Sequence, residues 1–553
     1  MIAYFVMEVG LEESIPTYSG GLGTLIGDTI LTFADLGIPA VCVTLLYKKG
    51  YVYQKIAKDG RQADLEDIWD YQEVLRPLSV EVEVPIGERK QKLRVWEYTV
   101  KGKRDIKVLF LDGDLDGNDE KVREAFQRLY YSDKERRLIQ EVVLGIGGYR
   151  ALKALGYDIA LYHINESHSA FLLFELLKES KDVEDVKKKV VFTTHTSLPV
   201  GHDTFPLSMV KEYLKMYDGI DWEKEATDDG QLDLSLLSAR YSSIVNAVSL
   251  RHRFITRRSY AFRDVDYITN GVYHRRWVCE EMKDLFDRYI LGWDDNPALL
   301  KQAHDIPSIE LLKAHSEAKE RLITFINKNY DVSFVPECPI LCIARRITAY
   351  KRNNLILKDI DRLIRISERF GCLQVVFAGR AHPADSDGKA IIKDINDKIS
   401  YAKSKTKSLR MVFLENYGIG LAKLLVAGCD VWLNNPKRPY EACGTSGMKA
   451  AMNGVLNLST WDGWWLEGGI EGINGWGIGP RPSWSDMSES NDEEDLEDIY
   501  GKLQHIILPM YYNYQDEWVK LMKNSIATVG PCFNTYRMVS EYFVKIYSAG
   551  LKL

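Results

Sequence analysis

The chain has 553 residues, 46% of them hydrophobic and 27% charged, which is too long for one ordinary core and predicts two large globular domains. Its net charge of −7 excludes a general attraction for nucleic acid or anionic membrane, and no basic low-complexity tail offsets it. No apolar run approaches the ~20 residues that span a bilayer, so no membrane partner is expected.

In chain order, Met1-Ile2-Ala3-Tyr4-Phe5-Val6 lacks a basic flank or cleavage site and reads as a first strand, not a signal peptide. Ser19-Gly20-Gly21-Leu22-Gly23, followed by Asp28, reads as a glycine turn opening a helix, by itself a weak phosphate signal. Strands are predicted over 38–46, 106–111, 159–164 and 190–194. A long amphipathic helix is predicted over 308–327. Further strands follow over 340–344, 373–378, 411–414, 430–433 and 455–458, separated by helical patterns. That alternation predicts an α/β chain with parallel sheets, which bind ligands at the carboxyl ends of their strands. Strand signals thin out between Asn270 and Pro336, where one half gives way to the other. The acidic stretch 485–498 reads as a solvated loop and helix start, and 531–547 is helical in pattern.

Eight cysteines are scattered without a C-x-x-C pair, so buried free thiols are expected in place of disulfides or a zinc site. That usage predicts a cytoplasmic protein. No histidine pair has metal-ligand spacing, and no metal is expected.

The most informative stretch is Glu441-Ala442-Cys443-Gly444-Thr445-Ser446-Gly447-Met448-Lys449. A carboxylate leads, a Gly/Thr/Ser turn follows, and a lysine lies on the opening turn of a helix. Free N–H groups at such a turn attract anions. A phosphate-bearing aldehyde could be held at both ends, its phosphate by the turn and its carbonyl by Lys449. The apolar neighbours Met448 and Ala450-Ala451-Met452 favour a neutral amine there.

This grammar resembles the α-glucan phosphorylases, whose cofactor lysine lies in E-A-S-G-T-x-x-M-K; Cys443 replaces the serine. Ala344 to Arg352 resembles the family's basic segment, Phe413-Leu414-Glu415-Asn416-Tyr417 its F-L-E-N-Y, and Asn270-Gly271 through Arg275-Arg276-Trp277 its N-G-x-x-x-R-R-W. Thr194 to Asp203 and Ala378 to Asp385 are similar to T-H-T-x-x-P-x-G-H-D and A-G-x-A-H-P-A-D of the short prokaryotic branch. Matches run from about residue 4 to about residue 547.

The resemblance implies a GT-B fold, two Rossmann-like domains facing across a deep cleft. It implies domains over 1–275 and 276–530, with a helix over 531–553 crossing back. It implies pyridoxal 5'-phosphate on Lys449, with Arg345, Thr445, Ser446 and Gly447 at its phosphate. Tyr417 and Trp277 match positions against its ring, although core packing explains an aromatic residue equally well. Arg346, Lys351 and Gly21 fall where inorganic phosphate binds. Glu441 and Asn270 fall at the glucosyl hydroxyls, and His195 beside the anomeric carbon. Leu22, Cys443 and Gly444 complete the substrate-binding set. The implied partners are an α-1,4-glucan or maltodextrin, inorganic phosphate and glucose 1-phosphate. A homo-oligomer is left open.

The rival reading is a nucleotide-sugar α-glucan synthase of the same fold. Its Arg-x4-Lys is satisfied by Arg346 and Lys351. Its second glutamate, however, falls on Lys449, which cannot accept a hydrogen bond from ribose. Tyr18-Ser19-Gly20-Gly21-Leu22 also lacks that family's leading lysine.

Overall fold

A computed structural model describes residues 1–553 except 181, 198–201, 218–219, 263 and 549–553. The chain divides into two compact units, one of 1–51, 66–268 and 539–553, the other of 52–65 and 269–538.

In chain order the first thirteen strands are β1 (Ile2–Phe5), β2 (Ala40–Leu45), β3 (Tyr53–Ile56), β4 (Gln62–Leu65), β5 (Arg76–Ile86), β6 (Arg89–Val100), β7 (Ile106–Asp112), β8 (Leu161–Asn165), β9 (Val190–Thr193), β10 (Thr204–Pro206), β11 (Gln231–Asp233), β12 (Ile244–Ala247) and β13 (Val265–Tyr267). The first unit holds a nine-stranded sheet in the order β13-β12-β9-β8-β1-β2-β7-β6-β5. It is parallel from β13 to β7, and β6 and β5 add an antiparallel edge. β1 is fully buried at its centre, as its apolar run predicts. The chain leaves β1 for β2 and β7 on one side and returns through β8, β9 and β12 on the other, so the strand order reverses between β1 and β8.

Besides the β3–β4 hairpin, the second unit holds, among the described residues, a sheet of six strands: β14 (Ile340–Ala344), β15 (Leu373–Ala378), β16 (Leu409–Leu414), β17 (Val431–Asn434), β18 (Leu456–Thr460) and β19 (Gly475–Ile478). They form an all-parallel sheet in the order β16-β15-β14-β17-β18-β19, reversing between β14 and β17. Near-continuous burial of β14, β15 and β17 matches strands covered on both faces. The helix Ser308–Asn329 precedes this sheet, with Leu311, Ala318, Leu322 and Ile326 buried.

Two features depart from expectation. The β3–β4 hairpin, unmarked by any strong pattern, packs with the second unit. Buried Gln54 and Gln62 donate from Nε2 to the carbonyls of Gly379 (2.8 Å) and Ala381 (2.9 Å). Cys338 and Cys372 form a disulfide with Cα atoms 5.7 Å apart, which corrects the expectation of free thiols throughout. The reason is tertiary: parallel pairing of Ile340 with Gln374 sets the starts of β14 and β15 side by side. The other six cysteines are free.

The tail forms a helix over Thr535–Tyr542 that continues to Tyr547. Tyr547 and Tyr542 reach into the core of the first unit. The Tyr547 hydroxyl bonds His163 Nδ1 at 2.7 Å, and Asn246 Nδ2 donates to the Tyr542 hydroxyl at 2.9 Å. Among the described residues no helix is long and apolar enough to cross a membrane.

Candidate active site

In the second unit the predicted residues gather where the strand order reverses, at the carboxyl ends of β14 and β17. This is where open α/β sheets place ligands. Arg345 follows β14 directly. Its backbone is pressed against Gly379, where a Cβ would lie 2.0 Å from the Arg345 carbonyl oxygen, so only glycine fits. The Arg345 side chain is buried. Its two terminal nitrogens donate to the side-chain oxygens of Asn434 and Asn435, and its Nε has no partner. Burial lowers its pKa to about 10. Among the described residues no carboxylate lies at ion-pair distance from it.

Lys351 ends a short turn, Ala349–Lys351, and donates to Glu441 Oε2 in a largely buried ion pair. Burial opposes its charge, but Glu441 overrides it and raises its pKa. The sequence reading assigns Lys351 to phosphate and Glu441 to sugar; the structure joins the two. Glu441 is held from behind, its backbone N–H donating to Asp462 Oδ2 at 2.9 Å. Arg346 is exposed. Arg352 closes the basic segment with a different role. It is buried in an αL conformation (φ 51°) and pairs with Asp492 (2.9 Å) and Asp495 (2.6 Å).

The turn after Glu441 is built by close approach. Gly444 has φ +74°, and Trp464 N donates to the Cys443 carbonyl at 3.0 Å. Gly463 touches that carbonyl so closely that a Cβ would stand 2.2 Å away. The Cys443 thiol is buried, which pushes its pKa up. Thr445 precedes a helix of only six residues, Ser446–Ala451, and makes no side-chain cap. Trp432 Nε1 donates to Ser446 Oγ at 3.1 Å, and Asn457 Nδ2 to the Gly447 carbonyl at 3.0 Å. A Cβ on Gly447 would meet Asn457 Oδ1 at 2.4 Å.

Lys449 is buried on this helix, its Nζ 3.7 Å from the centre of the Trp277 ring. Asn453 fixes that pairing: its Nδ2 donates to the carbonyls of Trp277 (2.8 Å) and Lys449 (3.0 Å), and its Oδ1 accepts from Cys279 N (2.8 Å). Asn270 is buried, its carbonyl accepting from Arg537 Nη2 at 3.2 Å. Tyr417 lies half-buried beyond β16, after Asn416 at φ 56°. The β3–β4 hairpin steadies that loop, Gln54 N donating to Asn416 Oδ1 at 2.6 Å.

The first unit carries Gly21, Leu22 and His195. Its strand order also reverses, between β1 and β8. Beyond β1, buried Glu8 accepts from Ser19 N (2.6 Å) and the Tyr130 hydroxyl (3.0 Å), fixing the turn into the helix Gly21–Leu36. Gly23 is packed there: a Cβ would lie 2.5 Å from Tyr18 Cβ. Gly20 and Gly21 instead face open space, with nothing within 4 Å of a Cβ, and Leu22 is half-buried.

Beyond β8, Glu166 adopts φ 62°, rare for a residue with a side chain and a local strain. Its carboxylate accepts from His195 N (2.8 Å) and Thr196 Oγ1 (2.9 Å). His195 Nε2 meets Asn165 Oδ1 at 2.9 Å, and burial lowers its pKa to about 3, so the imidazole is neutral. Of the motif from Thr194 to Asp203, Pro199 and Gly201 lie outside the described residues. His163 and His168 line separate networks. His168 sits between Asp203 and Glu141, with Arg137 Nη2 3.1 Å from its Nδ1. Glu141, His168 and Asp203 bring ligand-type atoms within 4.8 Å of one another, and the Arg137 guanidinium already supplies the positive charge between them.

The sequence model of a family described as carbohydrate phosphorylase matches residues 224–469. The maltodextrin phosphorylase of Thermococcus litoralis is 40% identical, the alignment covering all of this chain and 71% of that one. The glycogen phosphorylase of Aquifex aeolicus is 37% identical, over all of this chain and 86% of its own. This chain belongs to the carbohydrate phosphorylase family. An uncharacterized protein of Methanocaldococcus jannaschii, 30% identical over 99% of both chains, has nearly this compact length.

As a carbohydrate phosphorylase, the chain carries a donor set suited to pyridoxal 5'-phosphate. The orphaned Arg345 Nε, and a charge that Glu441 favours from a distance but no carboxylate touches, suit a phosphate ester. Asn457 and Trp464 fill the space a side chain at 447 would take, which fixes the turn against the sheet. The Lys449 amine over an indole suits an aldehyde on a flat ring. Sequence reasoning missed Asn434, Asn435, Asn453, Asn457, Asp462, Glu8 and Glu166, which hold the predicted residues without belonging to their motifs.

Proposed function

We infer that this carbohydrate phosphorylase catalyses reversible phosphorolysis of α-1,4-glucans, such as a maltodextrin, to α-glucose 1-phosphate with retained stereochemistry. The observation that carries the site assignment is Lys449: its amine is buried over Trp277, on the same sheet end as a guanidinium that has no anion. Lys449 would carry pyridoxal 5'-phosphate, with Arg345, Thr445, Ser446 and Gly447 at the phosphate and Trp277 and Tyr417 against the ring. When bound, the cofactor's phosphate supplies a proton reservoir or electrostatic partner for the substrate phosphate.

Two unit anions about 5 Å apart repel by about 3 kcal/mol at an effective dielectric near 20, so holding both needs several fixed cations. Arg346 and Lys351, with the turn at Gly21 and Leu22, bind inorganic phosphate. The phosphate protonates the glycosidic oxygen and then attacks the anomeric carbon from the same face. Glu441 and Asn270, with Cys443 and Gly444, hold the glucosyl hydroxyls; a mismatched sugar would leave their buried groups unpaired. His195 is neutral and tied to Asn165 and Glu166, which fits it to orient the glucosyl unit in place of donating a proton. Fixed charges and dipoles aimed at the reacting anions supply much of the rate.

The finer architecture proposed with this function is GT-B, with domains near 1–275 and 276–530 facing across a cleft and the tail 531–553 crossing back. A cytoplasmic location belongs to the same proposal. The deciding experiment incubates the protein with maltodextrin and inorganic phosphate and measures glucose 1-phosphate, with nucleotide-glucose synthesis run in parallel. Product only from the nucleotide sugar would overturn the reading. Lys449→Ala is expected to give a folded, cofactor-free protein with no phosphorolysis, and full activity in that variant would discard the lysine's assignment.

A further inference from the structure

Two buried arginines lie seven positions apart on one segment and are treated in opposite ways. Arg352 faces two carboxylates, Asp492 and Asp495. Arg345 faces two neutral amides, Asn434 and Asn435, at the end of the adjacent strand β17. Arginine offers only donors, so both amide oxygens turn toward Arg345, while Asn434 Nδ2 donates to Ser459 Oγ at 3.3 Å and Asn435 Nδ2 to the Arg352 carbonyl at 3.0 Å. Asn435 also accepts on its own carbonyl from Arg352 Nε at 3.0 Å, which ties it between the two arginines.

A buried charge without a counter-charge is costly, and native proteins normally pair it. Arg345 is fixed in direction, has Glu441 near enough to favour its charge but no carboxylate in contact, and is left with Nε free. The geometry points to Asn434 and Asn435 as positioning residues that hold Arg345 ready for a phosphate dianion and make the site select a phosphorylated aldehyde over its unphosphorylated form. Carboxylates at these positions would fix the guanidinium equally well but would satisfy its charge from within. Neutral amides orient it and leave the charge to the ligand. This rests on the reading of Lys449 and Arg345 as the cofactor site.

Asn434→Asp tests it with little other disturbance. One oxygen keeps its place at Arg345, and the other meets Ser459 Oγ, a hydroxyl that can donate to it. Apoprotein of the full chain is titrated with pyridoxal 5'-phosphate and with pyridoxal, following fluorescence and borohydride-fixed mass on the Lys449 peptide. In the parent, the phosphorylated form should bind at least tenfold tighter. In Asn434→Asp that preference should fall at least tenfold, with pyridoxal affinity unchanged within twofold and the melting temperature of the apoprotein equal or higher. Arg345→Met, which removes the charge at similar volume, should show the same loss of preference and covers a failure of the first variant to fold. Retention of the parental preference in either folded variant overturns the positioning role. Absence of any pyridoxyl mass on Lys449 in the parent overturns the cofactor reading beneath it, and the two failures are distinct.

Discussion

The two sheets end in opposite chemistry at their points of strand reversal. In the first unit the ends of β1 and β8 carry buried carboxylates, Glu8 and Glu166, which accept from the backbone and hydroxyls of the glycine turn and the Thr-His-Thr segment. In the second the ends of β14 and β17 carry Arg345, Lys351 and Lys449, with one carboxylate, Glu441, among them. One sheet end uses its charge to shape loops, and the other gathers positive charge, which the proposed function assigns to bound phosphates. A parallel sheet core that reverses its strand order thus carries carboxylates that brace loops in one unit and clustered cations in the other.

That contrast can be broken at four places, in falling order of effect. Glu441→Gln strips Lys351 of its buried partner and is expected to cost about 3 kcal/mol or more by urea unfolding. Turnover falls with it while the cofactor stays bound. The double variant Lys351→Met/Glu441→Gln should regain most of the stability and none of the activity. An unchanged unfolding midpoint in the single variant would show that water already screens the pair.

Acid should strike the first unit. Burial depresses His163 and His195 to about 3 and His252 to about 4, each from an ordinary 6.5. The unfolded chain therefore takes up protons first. Their contribution is complete above pH 6.5 and is lost as the pH falls through 4 toward 3, a loss on the order of a few kcal/mol. Hydrogen exchange should show β8 and β9 losing protection over that window before β14. Simultaneous loss in both units would remove the histidines as the cause.

Glu8→Ala removes the acceptor for Ser19 N and the Tyr130 hydroxyl, and about 2 kcal/mol of stability is expected to go, by the usual worth of hydrogen bonds to a charged group. The KM for phosphate should rise more than that for maltodextrin, since the loosened turn holds Gly21; equal rises would separate the turn from phosphate. Trp432→Phe, the mildest change, deletes the bond to Ser446 Oγ and should cost about 1 kcal/mol, seen as faster cofactor loss in gel filtration. No change in retention would free Ser446 from a holding role.

The predicted strands of the parallel core were legible because buried β-branched runs of that length have few alternatives; β14 and β15 appear at the very residues expected. The antiparallel β5–β6 edge and the β3–β4 hairpin were not legible. Their burial alternates or is set by single residues such as Gln54, whose partners, Gly379 and Asn416, are over 300 positions away. The site divides the same way. Lys449, Glu441 and the glycine turn announce themselves within nine residues. Asn453 and Asp462 look like any polar residues until folding sets them against Trp277 and Glu441.

The order of motifs along this chain sufficed to determine an α/β protein, its family resemblance and the lysine to which the proposed chemistry is assigned, since each depends on neighbours in sequence. Folding alone decided which of two nearby arginines is neutralised. Asn434, Asp492 and Asp495 lie 89, 140 and 143 positions from their arginine partners, and electrostatic compensation is a matter of ångströms in space, which no local pattern records.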